Sequence, residues 1–249
     1  MVRCAHQSSV SPTLAIIAAH FGWATVVVPV AFGVVAWLLR GVTTSGAIAG
    51  TACAFLIYWG LGPAGFAVLM AVFAITWLST QLGAAKKQRL GLAQDKKGRT
   101  AGQVLANIAA AAVCAALSLR HGIFAIAAVA ALAEAAADTS QSEIGEIASA
   151  RSWLITSFRE VPPGTDGGIT LPGTLAGLIA AAVVACVALA LGVVPFRSCA
   201  IAAAAGFFGT IVDSLLGAAL ERRGLLNNNA VNFLSTIAAA AIVLLLCFQ

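Results

Sequence analysis

Carboxylates close an apolar run in the segment 135–146, which reads AAADTSQSEIGE. A carboxylate near the centre of a bilayer costs about 2.5–3.5 kcal/mol on insertion scales, so several of them persist only where they face water, a cation or another polar group. Carboxylate and hydroxyl oxygens suit Mg²⁺, which is usually shared with substrate phosphates. The segment therefore predicts that Asp138 and Glu143 bind a metal ion. The structural alternative pairs the acids with arginines, namely Arg151, Arg159, Arg222 and Arg223.

The spacing of the acids limits how they can share an ion. Glu134 and Asp138 are four residues apart and share a helix face, whereas Glu143 lies about 140° round an ideal helix from Asp138. One straight helix therefore cannot direct Asp138 and Glu143 to a single ion. Either the helix breaks between Thr139 and Ser142, whose hydroxyls can bond to backbone groups, or two ions are bound.

A segment rich in glycine and proline follows at 161–174, with the sequence VPPGTDGGITLPGT. Glycine permits positive φ angles and close approach of the backbone, so successive amide groups can form a concave nest for phosphates at the start of the next helix. Such a segment either lines a polar cavity as a re-entrant loop or simply connects two spans. The nest is predicted to bind phosphates through Gly164, Thr165, Asp166, Gly167, Gly168, Thr170, Gly173 and Thr174.

The segment 209–232 places Asp213 inside a long apolar run and follows it with two arginines. Asp213 bears the same insertion cost as Asp138, which indicates a second metal-binding carboxylate in the catalytic site. Arg222 and Arg223 are predicted to neutralise phosphate charge. The alternative is a pair of arginines that anchor a span at the interface and an asparagine run that caps a helix. That alternative leaves Asp213 unexplained.

Amide side chains supply further candidate ligands for a nucleotide or a headgroup. Gln103 and Asn107, in the segment GRTAGQVLAN, are four residues apart and so share a helix face. Asn228 and Asn232 have the same spacing after the arginine pair. The alternative for these side chains is hydrogen bonding between helices, which amides commonly provide in membranes.

These segments must be positioned by a membrane-spanning bundle. Of the 249 residues, 61% are apolar and 9% are charged, and the mean hydropathy of +0.98 is typical of an integral membrane protein. A span needs roughly 20 mainly apolar residues, and the chain offers eight candidates. We therefore predict one all-α domain over 1–249, a polytopic bundle of six to eight transmembrane helices. The candidate spans are approximately 14–39, 44–61, 64–83, 102–120, 122–138, 171–195, 198–219 and 230–248.

Basic residues set the expected orientation. With eight spans, all of the fourteen Lys and Arg residues except Arg3, Arg120 and Arg197 fall on one side, which is expected to be cytoplasmic. The acids, the glycine-rich segment and the asparagine run lie on or near that side. We therefore predict a site that faces the cytoplasm, in a bacterial inner membrane or its equivalent. The net charge of +5 then reflects topology, and no interleaved aromatic and basic pattern indicates nucleic-acid binding.

Familiar motifs of other chemistries are absent from the sequence. It contains no GxxxxGK[ST], GxSxG or HExxH pattern, and its three histidines are far apart. The six cysteines are scattered through or beside apolar runs without the close pairs of a zinc or redox site. The sequence therefore gives no support to serine hydrolase or zinc protease chemistry.

The segments GRTAGQVLAN, ADTSQSEIG, PPGTDGGITLPGTLAG and NNNAVN, in this order, resemble the DUF92 family of membrane proteins over approximately residues 40–240. That family includes the plant phytyl-phosphate kinase and the animal transmembrane protein 19. An acidic box followed by a glycine-rich loop is also distantly similar to the CTP-using phytol and dolichol kinases and phosphatidate cytidylyltransferase. Ile108 and Ser140 depart from the family pattern, where a glycine and an aromatic residue are expected.

The resemblance implies transfer of a phosphoryl group from a nucleoside triphosphate, with CTP expected, to a prenyl monophosphate such as phytyl or geranylgeranyl phosphate. It also implies that the acidic box and the loop bind the nucleotide and Mg²⁺, while the prenyl tail lies among the spans and meets membrane lipid. Two alternatives stay open. A cytidylyltransferase would share every motif, and a lipid or ion transporter or scramblase would also use intramembrane acids and broken helices. The sequence does not indicate an oligomeric state.

Overall fold

The computed structural model describes residues 22–82, 98–148 and 151–247. The beginning of the first predicted span (14–21) and the basic residues between 86 and 97 lie outside this part of the chain. The described residues form seven α-helices, a 3₁₀ turn and three short strands. The helices are α1 (Trp23–Leu38), α2 (Thr44–Gln81), α3 (Ala101–Leu117), α4 (Ile123–Ile147), α5 (Leu171–Ala190), α6 (Phe196–Ala219) and α7 (Asn228–Cys247). The 3₁₀ turn is Glu221–Arg223, and the strands are β1 (Ser152–Leu154), β2 (Glu160–Val161) and β3 (Gly168–Ile169).

Helix α2 contains two predicted spans, joined at a break. Gly62 has φ +68° and ψ −165°, which no helical residue adopts, and Pro63 follows it. The rings of Tyr58 and Phe66, on either side of this break, lie 5.8 Å apart. Gly41, just before α2 begins, lies against Phe73 in the second half of α2. The two halves of α2 are therefore antiparallel and lie side by side. Counted separately, they bring the described helical segments to eight.

The lengths of the helices agree with a membrane bundle. Five helices (α2, α4, α5, α6 with the 3₁₀ turn, and α7) are long and apolar enough to cross a bilayer, while α1 and α3 are apolar but shorter. With α2 doubled, the prediction of an all-α polytopic bundle of six to eight spans is confirmed.

Helix α4 is the centre of this bundle. Of its most apolar stretch, 78% is buried inside the protein, against 33–39% for the other four long helices. Helices α2, α3, α7, α6 and α5 surround it in that order, each packing on α4 and on its neighbours, while α1 packs outside on α2. The small side chains of α4 allow this close approach: Gly206 of α6 packs on Ala133 and Gly177 of α5 on Ala137.

The acidic segment is part of α4 and is fully helical. We predicted a span ending at 138 and gave a helix break between Thr139 and Ser142 as one alternative; that alternative is wrong. The Thr139 hydroxyl donates to Ala135 O at 3.0 Å and the Ser142 hydroxyl donates to Asp138 O at 2.8 Å. These hydroxyls therefore bond back to the carbonyl one turn earlier and do not compete with the helix.

A small antiparallel sheet, which the sequence analysis did not predict, joins α4 to α5. Strand β1 lies between β2 and β3, with Ser152 opposite Val161 and Leu154 opposite Gly168. The loop between β2 and β3 packs through Gly167 on Ala218, in the last turn of α6. The glycine-rich segment therefore covers one end of the bundle and does not enter between the helices.

Candidate functional site

A polar cavity of about 240 Å³ lies at this end of the bundle. It is bounded by the beginnings of α3 and α7, the end of α6, the last third of α4 and the loop before β3. The four segments that the sequence analysis selected therefore meet in space. The predicted site residues that line the cavity are Gln103, Asn107, Asp138, Glu143, Gly164, Thr165, Asp166, Gly167, Gly168, Thr170, Asp213, Asn228 and Asn232.

Two aspartates from different helices form the acidic centre of the cavity. The side chains of Asp138 of α4 and Asp213 of α6 lie within hydrogen-bonding reach of each other. Oδ2 of Asp213 is buried and has no hydrogen-bond partner among the described residues. Two carboxyl groups in contact at a buried site repel each other when both are charged, unless a cation lies nearby. The pair therefore has the donor chemistry and the unused bonding capacity of a cation site.

The residues fit a Mg²⁺ ion that is shared with phosphates. Within the described ranges, no group of three or more His, Cys, Asp and Glu side chains is arranged to hold a metal. Mg²⁺ in phosphoryl-transfer sites is bound by one or two carboxylates together with waters and substrate phosphates, so Asp138 and Asp213 would suffice. Glu143 is buried and lines the same cavity, about 140° from Asp138 on an unbroken helix, so the two-ion alternative stays open.

Arg99 faces the acids and was missed by the sequence analysis. It lines the cavity. Burial lowers the pKa of the Arg99 guanidinium, and the negative charge of Asp138 partly opposes this shift. Its backbone is fixed because its N–H donates to Gly41 O and its O accepts from Thr43 N–H, both at 3.0 Å. Gly98 before it has φ +80° and packs against the backbone of Val42, where a side chain would collide. The sequence signal was its place directly before the cap of α3.

The glycine-rich loop is shaped by tight turns. Gly164 and Gly167 have φ angles of +78° and +72°. The Gly168 N–H donates to Thr165 O at 2.8 Å, and the Thr165 hydroxyl donates to Pro162 O at 2.6 Å. Some amides of the predicted nest therefore already bond within the loop. Fewer backbone N–H groups are left to bind phosphate than the sequence suggested.

The last two residues of the predicted nest belong to helix α5. Thr170 is its N-cap, and its hydroxyl accepts a hydrogen bond from Gly173 N–H at 3.1 Å. The Thr174 N–H donates to Thr170 O at 2.9 Å. Gly173 and Thr174 do not line the cavity, since their amides serve the first turn of the helix.

Amide side chains form the wall opposite the loop. Gln103 is part of a capping box at the start of α3, and Asn107 Nδ2 donates to Gln103 O at 2.8 Å. On α7, Asn232 Oδ1 is buried and has no hydrogen-bond partner among the described residues. Gln141, which the sequence analysis did not select, links α4 to α6 through Thr210 and Ser214 at 3.3 Å each. This wall has both donors and acceptors for a polar ligand.

The two arginines predicted to be catalytic lie elsewhere. Arg222 and Arg223 are exposed on the 3₁₀ turn and do not line the cavity. Glu221 of the same turn does line it. The structure therefore brings Arg99, and not this pair, into the group with Asp138 and Asp213.

Comparisons with known proteins identify the family of the chain. A family model described as integral membrane protein DUF92 matches residues 27–240. Protein VTE6, chloroplastic, of Arabidopsis thaliana is 32% identical over 85% of this chain and 67% of its own length. Uncharacterized membrane proteins of Synechocystis sp. and Methanocaldococcus jannaschii are 30% and 33% identical, over 76% and 84% of this chain and 76% and 87% of theirs. No solved structure matches the chain. The chain belongs to the DUF92 family of integral membrane proteins.

Proposed function

We propose that the protein is a membrane-embedded phosphotransferase. It converts a prenyl monophosphate, of the phytyl or geranylgeranyl type, to the diphosphate, with a nucleoside triphosphate as donor and Mg²⁺ as cofactor. The observation that carries the proposal is the contact of Asp138 with Asp213, faced by Arg99, in a polar cavity at the end of an apolar bundle. The cavity suits a phosphate headgroup, and the bundle suits an apolar tail.

Family membership supports the same reaction. The family that the sequence resembles includes the plant phytyl-phosphate kinase, and the matched region contains every residue of the cavity. CTP is the proposed donor because the acidic box and the glycine-rich loop are also distantly similar to CTP-using membrane kinases. A fold alone does not determine an activity, so the choice of reaction depends on the site residues.

The reaction asks for positioning and charge neutralisation more than for covalent help. An oxygen of the prenyl phosphate, which is already anionic, attacks the γ-phosphorus of the triphosphate. The bond from that phosphorus to the β-phosphate oxygen breaks, and a nucleoside diphosphate leaves. No general base is needed, because the nucleophile carries no proton that must be removed. Bound Mg²⁺ would supply charge neutralisation of the phosphates, held by Asp138 and Asp213.

The side chains of the cavity have separate proposed roles. Arg99 binds phosphate oxygens through its planar guanidinium. Its positive charge offsets the repulsion between the phosphates and the two acids. The turns at Gly164 and Gly167 bring backbone amides to the nucleotide. The amide wall of Gln103 and Asn232 binds the remaining polar groups of either substrate.

The proposed orientation puts the cavity in the cytoplasm, where the nucleotide is found. Arg40, Arg99 and Arg151 lie at the cavity end of the bundle, whereas Arg120 and Arg197 lie at the other end. This asymmetry is the one that basic residues show when their loops stay in the cytoplasm. The prenyl tail then lies in the cytoplasmic leaflet, in contact with membrane lipid.

Direct assay tests the proposal. The purified protein in detergent is incubated with phytyl, geranylgeranyl and farnesyl monophosphates, Mg²⁺ and each of CTP, ATP, GTP and UTP, and the products are identified by mass spectrometry. We expect prenyl diphosphate with one donor, and none when Mg²⁺ is removed with a chelator. A cytidylyl-linked lipid with released pyrophosphate would establish the cytidylyltransferase instead. Absence of any product or nucleotide hydrolysis from folded protein would contradict enzyme function and favour a transporter or scramblase.

A further inference from the structure

Glu134 is a buried acid that the proposed reaction does not use. It lies one turn before Asp138 on α4, deeper in the bundle, and does not line the cavity. Its side chain is 1% exposed, and Oε1 has no hydrogen-bond partner among the described residues. Burying a carboxyl group in this way costs several kcal/mol unless other groups compensate. A residue of this kind calls for an explanation beyond packing.

The neighbouring helix provides space for Glu134 through two glycines. At Gly209 of α6, an added Cβ atom would lie 2.5 Å from Glu134 Cγ. At Gly206, an added Cβ atom would lie 3.0 Å from the Glu134 backbone nitrogen. Helix α6 therefore approaches α4 closely at Glu134 and in the turn that precedes it. Asp213 is one turn beyond Gly209 on the same helix, so the placement of α6 here also places Asp213.

Ser235 connects Glu134 to the acidic centre. Its side chain is fully buried on α7 and lies within hydrogen-bonding reach of both Glu134 and Asp213. The same hydroxyl lies 2.9 Å from Asn232 O, which is a further acceptor for its proton. A hydroxyl group has one proton, which it can donate to one of these oxygens at a time, and two lone pairs, which can accept from a carboxyl group that carries a proton. Ser235 therefore joins α4, α6 and α7 at one point.

The geometry points to Glu134 as a positioning residue: through Ser235, it fixes the Asp213 carboxyl relative to Asp138. This inference rests on the proposed function, since it assigns a role at the same site. Glu134 does not line the cavity, and it acts through its contact with Ser235. Correct placement of catalytic groups to within a fraction of an ångström is what such supporting contacts provide.

Substitutions at both ends of this contact test the role. We expect Glu134→Ala and Ser235→Ala each to lower kcat about tenfold or more, with a smaller change in KM for the nucleotide. Glu134→Gln retains the shape and a hydrogen-bonding oxygen, so it is expected to remain within about threefold of the unmodified protein. The double variant of Glu134→Ala with Ser235→Ala should be no worse than Ser235→Ala alone, because the two residues act in series.

A matched control separates this role from general packing. Thr236, next to Ser235 on α7, is also fully buried, but its hydroxyl bonds to Phe233 O and to Ala106 O of α3. We expect Thr236→Val to leave kcat within about twofold, since no acid loses a contact. Melting temperatures in detergent confirm that each variant is folded. If Glu134→Ala does not fold, Ser235→Ala and Glu134→Gln still give the comparison.

Cation affinity provides a readout that does not depend on turnover. Binding of Mn²⁺ in place of Mg²⁺ is measured by electron paramagnetic resonance, and Ser235→Ala and Glu134→Ala should weaken it about tenfold. Full kcat and full Mn²⁺ affinity in Ser235→Ala would overturn the inference, as would a Glu134→Gln protein as impaired as Glu134→Ala. If the unmodified protein makes no diphosphate with any donor, the proposed function fails, while the Mn²⁺ affinities still decide the role of Glu134. If it also binds no Mn²⁺, both proposals are overturned.

Discussion

Helix α4 has an apolar part, residues 123–137, and a polar part, residues 138–147, which are held in place by different forces. Every residue from 127 to 137 is buried, and most are alanines in direct contact with surrounding helices. In the polar part, Ser140 bonds to Ser79 of α2 at 3.2 Å and Gln141 bonds to Ser214 of α6. Apart from Glu134, the apolar part is held by the close fit of small side chains, since lipid gives no hydrophobic drive to helix association.

This contrast means that stability and activity depend on different parts of the same helix. Changes of volume in the apolar part act on packing, because interiors are dense and tolerate little extra volume. Changes of chemistry in the polar part act on the cavity, because its side chains keep bonding capacity for a ligand. Glu134 is the exception, as a polar side chain within the apolar part.

The largest effect is expected from Asp138→Asn. The amide cannot bind a cation as a carboxylate does, so we expect turnover to fall at least about 100-fold, as when one charge-stabilising group is removed from an active site. The change removes a charge from a partly buried site, so the melting temperature in detergent should not fall. Phosphoryl transfer and thermal unfolding are measured on the same preparation. Full turnover in this variant would exclude the metal-binding role of Asp138.

The apolar part of α4 can be tested from its neighbour through Gly206→Ala. Helix propensity alone predicts a gain of up to about 1 kcal/mol, because alanine favours helix over glycine. However, the added Cβ atom would lie 2.7 Å from Ala133 Cβ and 3.1 Å from Ala130 O. Overpacking of this kind costs about 1–3 kcal/mol, so we expect a lower melting temperature.

Gly122→Ala is the control for this substitution. Gly122 precedes α4 and has no atom within 4 Å of an added Cβ atom. The free energy of unfolding of the Gly122→Ala variant should therefore stay within about 0.5 kcal/mol of that of the unmodified protein. The folded Gly206→Ala protein should keep most of its kcat if packing and chemistry are separate. An equal loss of stability in both variants would mean that the contact with α4 does not cause the destabilisation by Gly206→Ala.

A smaller effect is expected from Arg99→Lys. Lysine keeps the positive charge opposite Asp138 but loses the planar fork that binds two phosphate oxygens at once. We expect kcat/KM for the nucleotide to fall about tenfold, with thermal stability retained. Steady-state kinetics at several nucleotide concentrations measure this. Unchanged kinetics would show that Arg99 contributes only its charge to the site.

The features of the site that could be predicted from the sequence are those that carry an energetic cost in the membrane. Asp138 and Asp213 were selected because a carboxylate in a span needs a reason, and the structure brings them into contact. The eight spans were predicted from hydropathy alone, and the break at Gly62 accounts for the two that share one helix. Such costs are local properties of the chain, so they can be evaluated without knowing the fold.

Other features could not be predicted, because they depend on which side chain turns inward. Arg99 is one of several basic residues between two spans, and only the packing of its backbone on Gly41 and Thr43 distinguishes it. Gln141 was hidden among the polar residues of the acidic segment, and its two bonds to α6 appear only in the folded bundle. The strands β1, β2 and β3 have two or three residues each, too few to show an alternating pattern.

The smallest effect is expected from replacing Arg222 and Arg223 together by alanine. If the two arginines had the catalytic role that we predicted from the sequence, removal of both charges would lower kcat at least about 100-fold. Both side chains are exposed on the 3₁₀ turn outside the cavity, where a charge is screened by water and salt. We therefore expect kcat to change less than about twofold, as for most exposed substitutions. A loss comparable to that of Asp138→Asn would restore the catalytic role and would require the turn to close over the bound substrates.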